Sequence, residues 1–274
     1  MIKRGPGDTQ VGRSTKPNQG VSRMLTSFRG KFAVSLAALA CGLAAPSMAH
    51  AQETEEAGPV TVSANVALTT DYRFRGVSLS GGDPAVQGGI DVGHESGFYV
   101  GTWASSIDGG DAYGELELDL YGGWSGDVAE GVTLDVGLLY YLYPSESLGL
   151  DTDYFEPYAS VGFTFGPAEA TVGAAYAWEQ DSLGGEDNLY VYTDLGFSLP
   201  STPISLTAHL GYTDGVLAPP LLAGDADDSG LDWSLGASYT AGSLEFGVSY
   251  VGVEGPSIDG FTDDAIVGTV SASF

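Results

Sequence analysis

Positive charge is almost absent from most of this 274-residue chain. Beyond residue 31 the only basic side chains are Arg73 and Arg75, whereas all but one of the 36 acidic residues lie in 52–274. Such a chain repels the phosphates of nucleic acids and attracts cations. We therefore expect no nucleic-acid partner, although the acidity could also serve solubility or a salty habitat.

Cysteine is scarce as well, since the single one is Cys41. It lies in the apolar run 32–53, which follows two basic residues and contains the sequence Ala-His-Ala, a pattern typical of a secretory signal peptide with its cleavage site. We predict a leader at 1–51, cleaved after Ala51, with Met24 as an alternative start. The exported part then has no cysteine, which excludes disulfides and thiolate metal sites.

Helical periodicity is also missing beyond residue 51. Apolar and polar residues alternate instead, in stretches separated by Gly, Pro, Asp and Ser, and this pattern predicts β-strands. The twelve predicted strands are 61–75, 84–93, 98–106, 114–123, 132–143, 153–164, 168–178, 187–198, 204–213, 231–239, 243–251 and 264–274.

Long and short connections between these strands alternate along the chain, which is typical of an up-and-down sheet. We find no linker, so 52–274 is expected to form one all-β domain. Alternation fits both a transmembrane barrel and a soluble β-sandwich. An even strand count, uncharged apolar faces and the absence of edge lysines favour a single antiparallel transmembrane barrel of about 12 strands.

The two ends of the predicted strands are rich in aromatic residues on the apolar face, as at the two interfaces of a membrane barrel. The predicted girdle at the loop end consists of Tyr72, Phe74, Tyr140, Tyr176, Trp178, Tyr212, Trp233 and Tyr250. The predicted girdle at the turn end consists of Trp124, Phe163, Phe197, Tyr239 and Phe274.

A block near the start of the barrel, LTTDYRFRGVSLSGGDPAVQGGIDVGHESGFYVGTWAS at 68–105, resembles the N-terminal signature of the TorF family of porins. The terminal Phe274 is similar to the C-terminal assembly signal of bacterial outer-membrane barrels. These resemblances imply a pore in the outer membrane of a Gram-negative bacterium. The expected partners are membrane lipid, lipopolysaccharide, the barrel-assembly machinery and small polar solutes.

The polar face of the predicted strands would line the pore. Its charged members are Asp71, Arg73, Arg75, Asp91, Glu115, Glu117, Asp119, Asp135, Glu156, Glu169, Asp194, Asp232 and Glu245. Because carboxylates dominate, we expect a diffusion channel that favours cations. The alternative is that these carboxylates are solvated or ion-paired and that the barrel hardly conducts.

The two arginines lie two residues apart, and the predicted first strand places them on the lumen face with Tyr72 and Phe74 pointing to lipid. One hypothesis is that they neutralise carboxylates on neighbouring strands and hold the wall together. The other is that they form half of a transverse field at a constriction. The loop 213–230 is long enough to close the lumen further.

Other functions find weaker support in the sequence. The segment DADDSG at 225–230 begins like a calcium-binding loop but lacks the later ligands, so we predict no specific metal site and no cofactor; loose divalent bridging to lipopolysaccharide is an alternative. His209 lies on the lumen face and no nucleophile motif surrounds it, so we expect no enzyme. A non-conducting structural or adhesin-type barrel and a secreted acidic calcium-binding β-sandwich are the remaining alternatives.

Overall fold

The computed structural model describes residues 59–274. The predicted leader at 1–51 and its cleavage site lie outside the described residues. Within the described part, fourteen β-strands account for most of the chain. They are β1 (Val60–Thr69), β2 (Arg73–Phe74), β3 (Val77–Ser78), β4 (Ala85–His94), β5 (Phe98–Ser106), β6 (Leu116–Ala129), β7 (Val132–Leu142), β8 (Tyr154–Phe165), β9 (Ala168–Gln180), β10 (Glu186–Ser198), β11 (Ile204–Gly215), β12 (Ser229–Ala241), β13 (Leu244–Val253) and β14 (Ala265–Ser273).

Helical structure is limited to the short helices α1 (Gly110–Tyr113) and α2 (Pro219–Leu222) and a 3₁₀ turn at Asp181–Leu183. No helix in residues 59–274 has the length and hydropathy needed to cross a membrane.

Twelve of the strands close into one antiparallel barrel. From β4 to β14 each strand pairs with the next along the chain, and β1 joins the two ends of the sheet by pairing with both β4 and β14. The seam is continuous, since Thr69 pairs with Ala85 on one side and with Thr269 on the other. The predicted twelve-stranded, up-and-down antiparallel barrel is confirmed, and the β-sandwich alternative is wrong.

Connections at the two ends of the barrel differ in length, as predicted. At one end, named the loop end here, the connections are 70–84, 107–115, 143–153, 181–185, 216–228 and 254–264. At the other, named the turn end, they are 95–97, 130–131, 166–167, 199–203 and 242–243. The first strand begins and the last strand ends at the turn end as well, at residues 60 and 273.

Alternation along each strand separates an apolar outer face from a polar inner face. In β6, for example, Leu116 and Leu120 are exposed outward while Glu117 and Asp119 between them are buried inside. Between the strand ends, the outward positions of the described barrel strands carry no charged residue. The outer surface is therefore an apolar band around a polar interior.

Aromatic residues border this band as predicted, with two exceptions. Tyr176 and Tyr250 near the loop end and Phe274 at the turn end are exposed on the outer face. Tyr72 is only 2% exposed, however, and Phe74 packs against Tyr141 inside the barrel. The prediction that Tyr72 and Phe74 point to lipid is wrong.

The reason lies in the first strand, which is shorter than predicted. β1 ends at Thr69, and the next residues leave the wall instead of continuing it to residue 75. The short strands β2 and β3 pair only with each other, as a separate two-stranded sheet. We call residues 70–84 the plug segment.

Candidate pore and its plug segment

A tight hairpin forms the tip of the plug segment. Arg73 pairs with Ser78 and Phe74 with Val77, so Arg75 and Gly76 form a two-residue turn. Both turn residues have positive φ, 47° and 79°, as a type I′ turn requires. A Cβ on Gly76 would lie 2.2 Å from Cγ1 of Val253, so both the turn and the close approach to the wall favour glycine.

Asp71 organises the base of the hairpin. Its Oδ1 accepts hydrogen bonds from the hydroxyls of Ser78 (2.6 Å) and Ser80 (3.2 Å), and its Oδ2 accepts from Nε of Arg73 (2.5 Å). Asp71 is 5% exposed. A buried carboxylate needs such partners to offset its lost hydration, so these contacts fix the hairpin's shape.

Arg73 ties the plug segment to the loop that precedes β14. Its Nη1 donates to the backbone carbonyls of Gly76 (3.2 Å), Phe261 (3.3 Å) and Asp263 (2.7 Å), and its Nη2 donates to the carboxylate of Asp263 (3.2 Å). One guanidinium thus joins two loop-end connections by charge-assisted hydrogen bonds.

Arg75 reaches the wall on the far side of the lumen. Its Nη2 donates to both carboxylate oxygens of Glu156 on β8, at 2.8 and 2.7 Å. Its guanidinium carbon lies 4.2 Å from the ring centre of Tyr190 on β10 and 4.7 Å from that of Phe74. Burial alone would lower the pKa of Arg75, but Glu156 and the neighbouring tyrosines raise it above its ordinary value, so the side chain remains charged.

Further contacts show that the plug segment crosses the lumen. The hydroxyl of Tyr72 donates to Glu117 on β6 at 2.6 Å, and the ring of Tyr72 meets Trp103 on β5. Gly76 lies against Asp232 on β12 and the end of β13. The segment leaves the wall between β1 and β4, yet it touches strands from β5 round to β13 near their loop ends.

The predicted two-arginine ladder on the first strand is therefore wrong. Asp71, Arg73 and Arg75 lie on a hairpin inside the barrel and not on its wall. Both arginines contact carboxylates, as the first hypothesis expects, but Glu156 belongs to a strand across the lumen and Asp263 to a loop.

The predicted acidic positions on the wall fall into three groups. Buried inside are Asp91, Glu117, Asp119, Asp135, Glu156 and Asp232. More open to solvent, nearer the turn end, are Glu169, Asp194 and Glu245. Glu115 is exposed and precedes β6, so it lies at the loop end and not on a strand of the wall.

Inward-facing tyrosines form a belt that the sequence analysis missed. The hydroxyl of Tyr99 donates to Asp135 at 2.7 Å and lies 2.5 Å from that of Tyr158, and Tyr121 donates to Asp91. Each of these tyrosines lies an even number of residues from an inward acid or an inward polar residue on the same strand, and therefore faces inward too. Their position in the alternation marks them as inward, whereas the prediction placed aromatic residues only on the lipid face.

His209 joins the belt to the region beside Arg75. Its Nδ1 lies 2.6 Å from Asp194, and its Nε2 lies 2.9 Å from Asp232 and 2.8 Å from the hydroxyl of Tyr190. A small cavity borders His209, Asp232 and Arg75, with room for about one water molecule. Within residues 59–274 no group of three or more His, Cys, Asp or Glu side chains could hold a metal ion.

One family model matches residues 53–274, and it describes a bacterial protein of unknown function, Gcw_chp. The chain belongs to the Gcw_chp family. The TorF name suggested by the block at 68–105 is not confirmed by this match. Among curated proteins no match to the chain was found.

Solved structures share the barrel fold at low sequence identity. One, from work on the in-meso crystallization of membrane proteins, has a TM-score of 0.50 and 9% identity over 78% of this chain and 83% of its own. An outer-membrane channel from Pseudomonas putida F1 has a TM-score of 0.45 and 12% identity over 80% and 96%. LpxR from Salmonella typhimurium has a TM-score of 0.41 and 8% identity over 77% and 99%. The first of these likenesses, at 9% identity, shows a common fold and nothing about function.

Proposed function

We propose that this chain is a channel in the outer membrane of a Gram-negative bacterium, through which small polar solutes pass and cations pass more readily than anions. The observation that carries the proposal is a closed barrel whose outer face is apolar while its inner face carries carboxylates. A closed sheet leaves no unpaired edge, which a lipid environment demands of any strand that crosses it.

The loop-end girdle supports a membrane position. The hydroxyl of Tyr176 donates to Asp187 at 2.7 Å, and that of Tyr250 donates to Asp264 at 2.5 Å. Each pair places a ring on the apolar band and a carboxylate directly above it. This arrangement suits an interface between hydrocarbon and water.

Phe274 is held in the seam of the barrel by its backbone. Its backbone N–H donates to the carbonyl of Ala64, and its carbonyl accepts from the N–H of Ala64, at 2.9 and 3.1 Å. The side chain is 76% exposed on the outer face at the seam between β1 and β14. We propose that it serves as the assembly signal, with lipopolysaccharide and lipid as the partners of the apolar band.

Charge inside the barrel supports a preference for cations. Carboxylates outnumber the guanidinium groups, and those at Asp194, Glu169 and Glu245 lie in the more open part of the lumen. A narrow aqueous path with low-dielectric walls concentrates ions of opposite sign. Because the plug segment crosses the loop-end half, we propose that conduction requires this segment to move.

Reversal potentials in a planar bilayer across a potassium chloride gradient test the proposal. We expect a shift toward the potassium equilibrium potential, and a smaller shift for the variant Asp194→Asn/Glu169→Gln/Glu245→Gln. A zero shift or an anion preference in the wild-type protein would refute the cation preference.

A non-conducting structural or adhesin-type barrel is the second candidate, and the plug segment is the observation that favours it. The two candidates separate in the wild-type protein, because a channel conducts when its plug segment moves, whereas a structural barrel stays closed. A barrel that inserts but shows no conductance unless the plug segment is deleted would establish the second candidate. We expect no enzymatic activity from either.

A further inference from the structure

The guanidinium of Arg75 occupies a cage built by other parts of the chain. Glu156 supplies both carboxylate oxygens, and Tyr190 supplies an aromatic face at 4.2 Å. Tyr141 on β7 donates its hydroxyl to Glu156 at 3.1 Å and so fixes that carboxylate. These groups lie on β7, β8 and β10, so the cage remains on the wall if the plug segment moves away.

The chemistry of this cage suits a guanidinium better than an ammonium ion. A planar guanidinium can point its N–H groups at a carboxylate in its own plane while one face stacks on an aromatic ring. An ammonium ion lacks the flat face, and an anion would be repelled by Glu156. The geometry therefore selects by shape as well as by charge.

The site holds more carboxyl groups than Arg75 contacts. Asp119 on β6 lies close enough to Glu117 and to Glu156 to interact electrostatically with both. Asp119 is 4% exposed, and its Oδ1 has no hydrogen-bond partner within the described part of the chain. A buried carboxyl oxygen without a hydrogen-bond partner is costly, and a bound cation with N–H donors is one group that would relieve that cost.

Arg75 also leaves some of its hydrogen-bond donors without acceptors. Within residues 59–274, Nε and Nη1 of Arg75 are buried without acceptors, and so is Oδ2 of Asp232 without a donor, beside the small cavity that both residues border. The side chain is fixed at its base by a turn residue with φ of 47°, a conformation that costs free energy for a residue other than glycine. A free guanidinium is not tied to this turn and can orient its donors independently of the backbone.

We propose that this cage is a binding site for small guanidinium cations, and that Arg75 is its built-in competitor. The inference rests on the channel function proposed above, since it names the class of solute that the channel recognises. When a soluble guanidinium compound takes the place of Arg75, the hairpin tip loses its contact with β8 and β10. The plug segment then leaves the wall and the loop-end half of the lumen opens.

Chemical rescue tests the cage without any need for conduction. The variant Arg75→Gly empties it, and glycine accepts the positive φ at this position. We expect millimolar guanidinium chloride to raise the midpoint of the heat-modifiable gel shift of this variant by at least about 3 °C relative to ammonium chloride at equal ionic strength. If the glycine variant does not assemble, the variant Arg75→Asn takes its place in the experiment, because asparagine also tolerates positive φ.

The matched control is the double variant Arg75→Gly/Glu156→Gln, which lacks the carboxylate and should show no preference for guanidinium over ammonium. Equal stabilisation by the two salts in the single variant would overturn the proposal. So would a guanidinium effect that persists in the double variant.

Competition in the wild-type channel tests the second step. Agmatine, a soluble guanidinium compound, should increase the open probability in a planar bilayer, whereas an alkyl diamine at equal ionic strength should not. The Arg75→Gly variant should be open without either compound. If no variant conducts, the channel function is refuted, and the rescue experiment still tests guanidinium binding in the cage. If the variants conduct but agmatine and the diamine have the same effect, only the guanidinium inference is refuted.

Discussion

In the loop-end half of the lumen, Glu117 and Glu156 are buried against the plug segment, whereas in the turn-end half Glu169 is exposed and Asp194 is only half-buried. All four occupy inward positions on barrel strands, so the strand pattern alone treats them alike. For the first pair the difference comes from the plug segment, 70–84, whereas Asp91 and Asp135, nearer the turn end, are buried beside the tyrosine belt instead. An inward carboxylate therefore forms an ionic contact or stays in water according to what lies beside it, which is the plug segment for Glu156 and His209 on the wall for Asp194.

Removing the plug segment should erase this difference and give the largest effect. Because Thr69 pairs directly with Ala85, an Asn-Gly turn can replace residues 70–84 without changing the sheet. We expect the variant to assemble and its single-channel conductance to rise severalfold. A conductance equal to that of the wild-type protein would show that the plug segment does not limit the path.

Replacing one carboxylate from each half should sharpen the comparison. Glu156→Gln leaves the buried charge of Arg75 without its main partner, which costs about 3–5 kcal/mol. Trypsin reports on the hairpin selectively, because it cleaves after Lys and Arg and residues 32–274 contain only Arg73 and Arg75. We expect the cleavage rate to rise on the order of a hundredfold or more, as the open population increases.

The matched control for that change is Glu169→Gln, which alters an exposed inward carboxylate in the turn-end half. We expect no change in cleavage rate for this variant. Equal rates for the two variants would contradict the distinction between the halves.

Substituting the turn glycine should have a smaller effect. Gly76→Ala adds strain at positive φ and brings its Cβ to 2.2 Å from Val253, whereas Gly110→Ala adds similar strain at φ of 59° with nothing within 4 Å. The contact should cost about 1–3 kcal/mol beyond the strain. Trypsin should therefore cleave the Gly76 variant faster than the Gly110 variant, and equal rates would place the hairpin tip away from β13.

Local pattern was sufficient to predict the wall. The predicted strand 98–106 has the bounds of β5, and the other strand starts and ends mostly agree within a few residues. Alternation with a period of two shows which face of the sheet each residue occupies. In an up-and-down sheet each strand pairs with the next along the chain, so little further information is needed to predict the topology. The inward tyrosines were missed only because aromatic residues were assigned to the lipid face without regard to parity.

The plug segment could not be predicted in the same way. Tyr72 and Phe74 continue the apolar alternation of Val66 and Leu68, because β2 is itself extended, and alternation does not show which strand is the partner. The contact between Arg75 and Glu156 spans 81 residues of sequence, so no local signal marks it. The arginine–glycine pair at 75–76 was the available hint of a turn.

Limited trypsin digestion of the assembled wild-type barrel tests the central claim most directly, namely that residues 70–84 fold into the lumen. The folded protein, identified by its heat-modifiable migration, should resist cleavage at Arg73 and Arg75, while the heat-denatured chain should be cut at both. Rapid cleavage of a barrel that keeps its folded migration would show that the hairpin lies outside the lumen and would contradict the account.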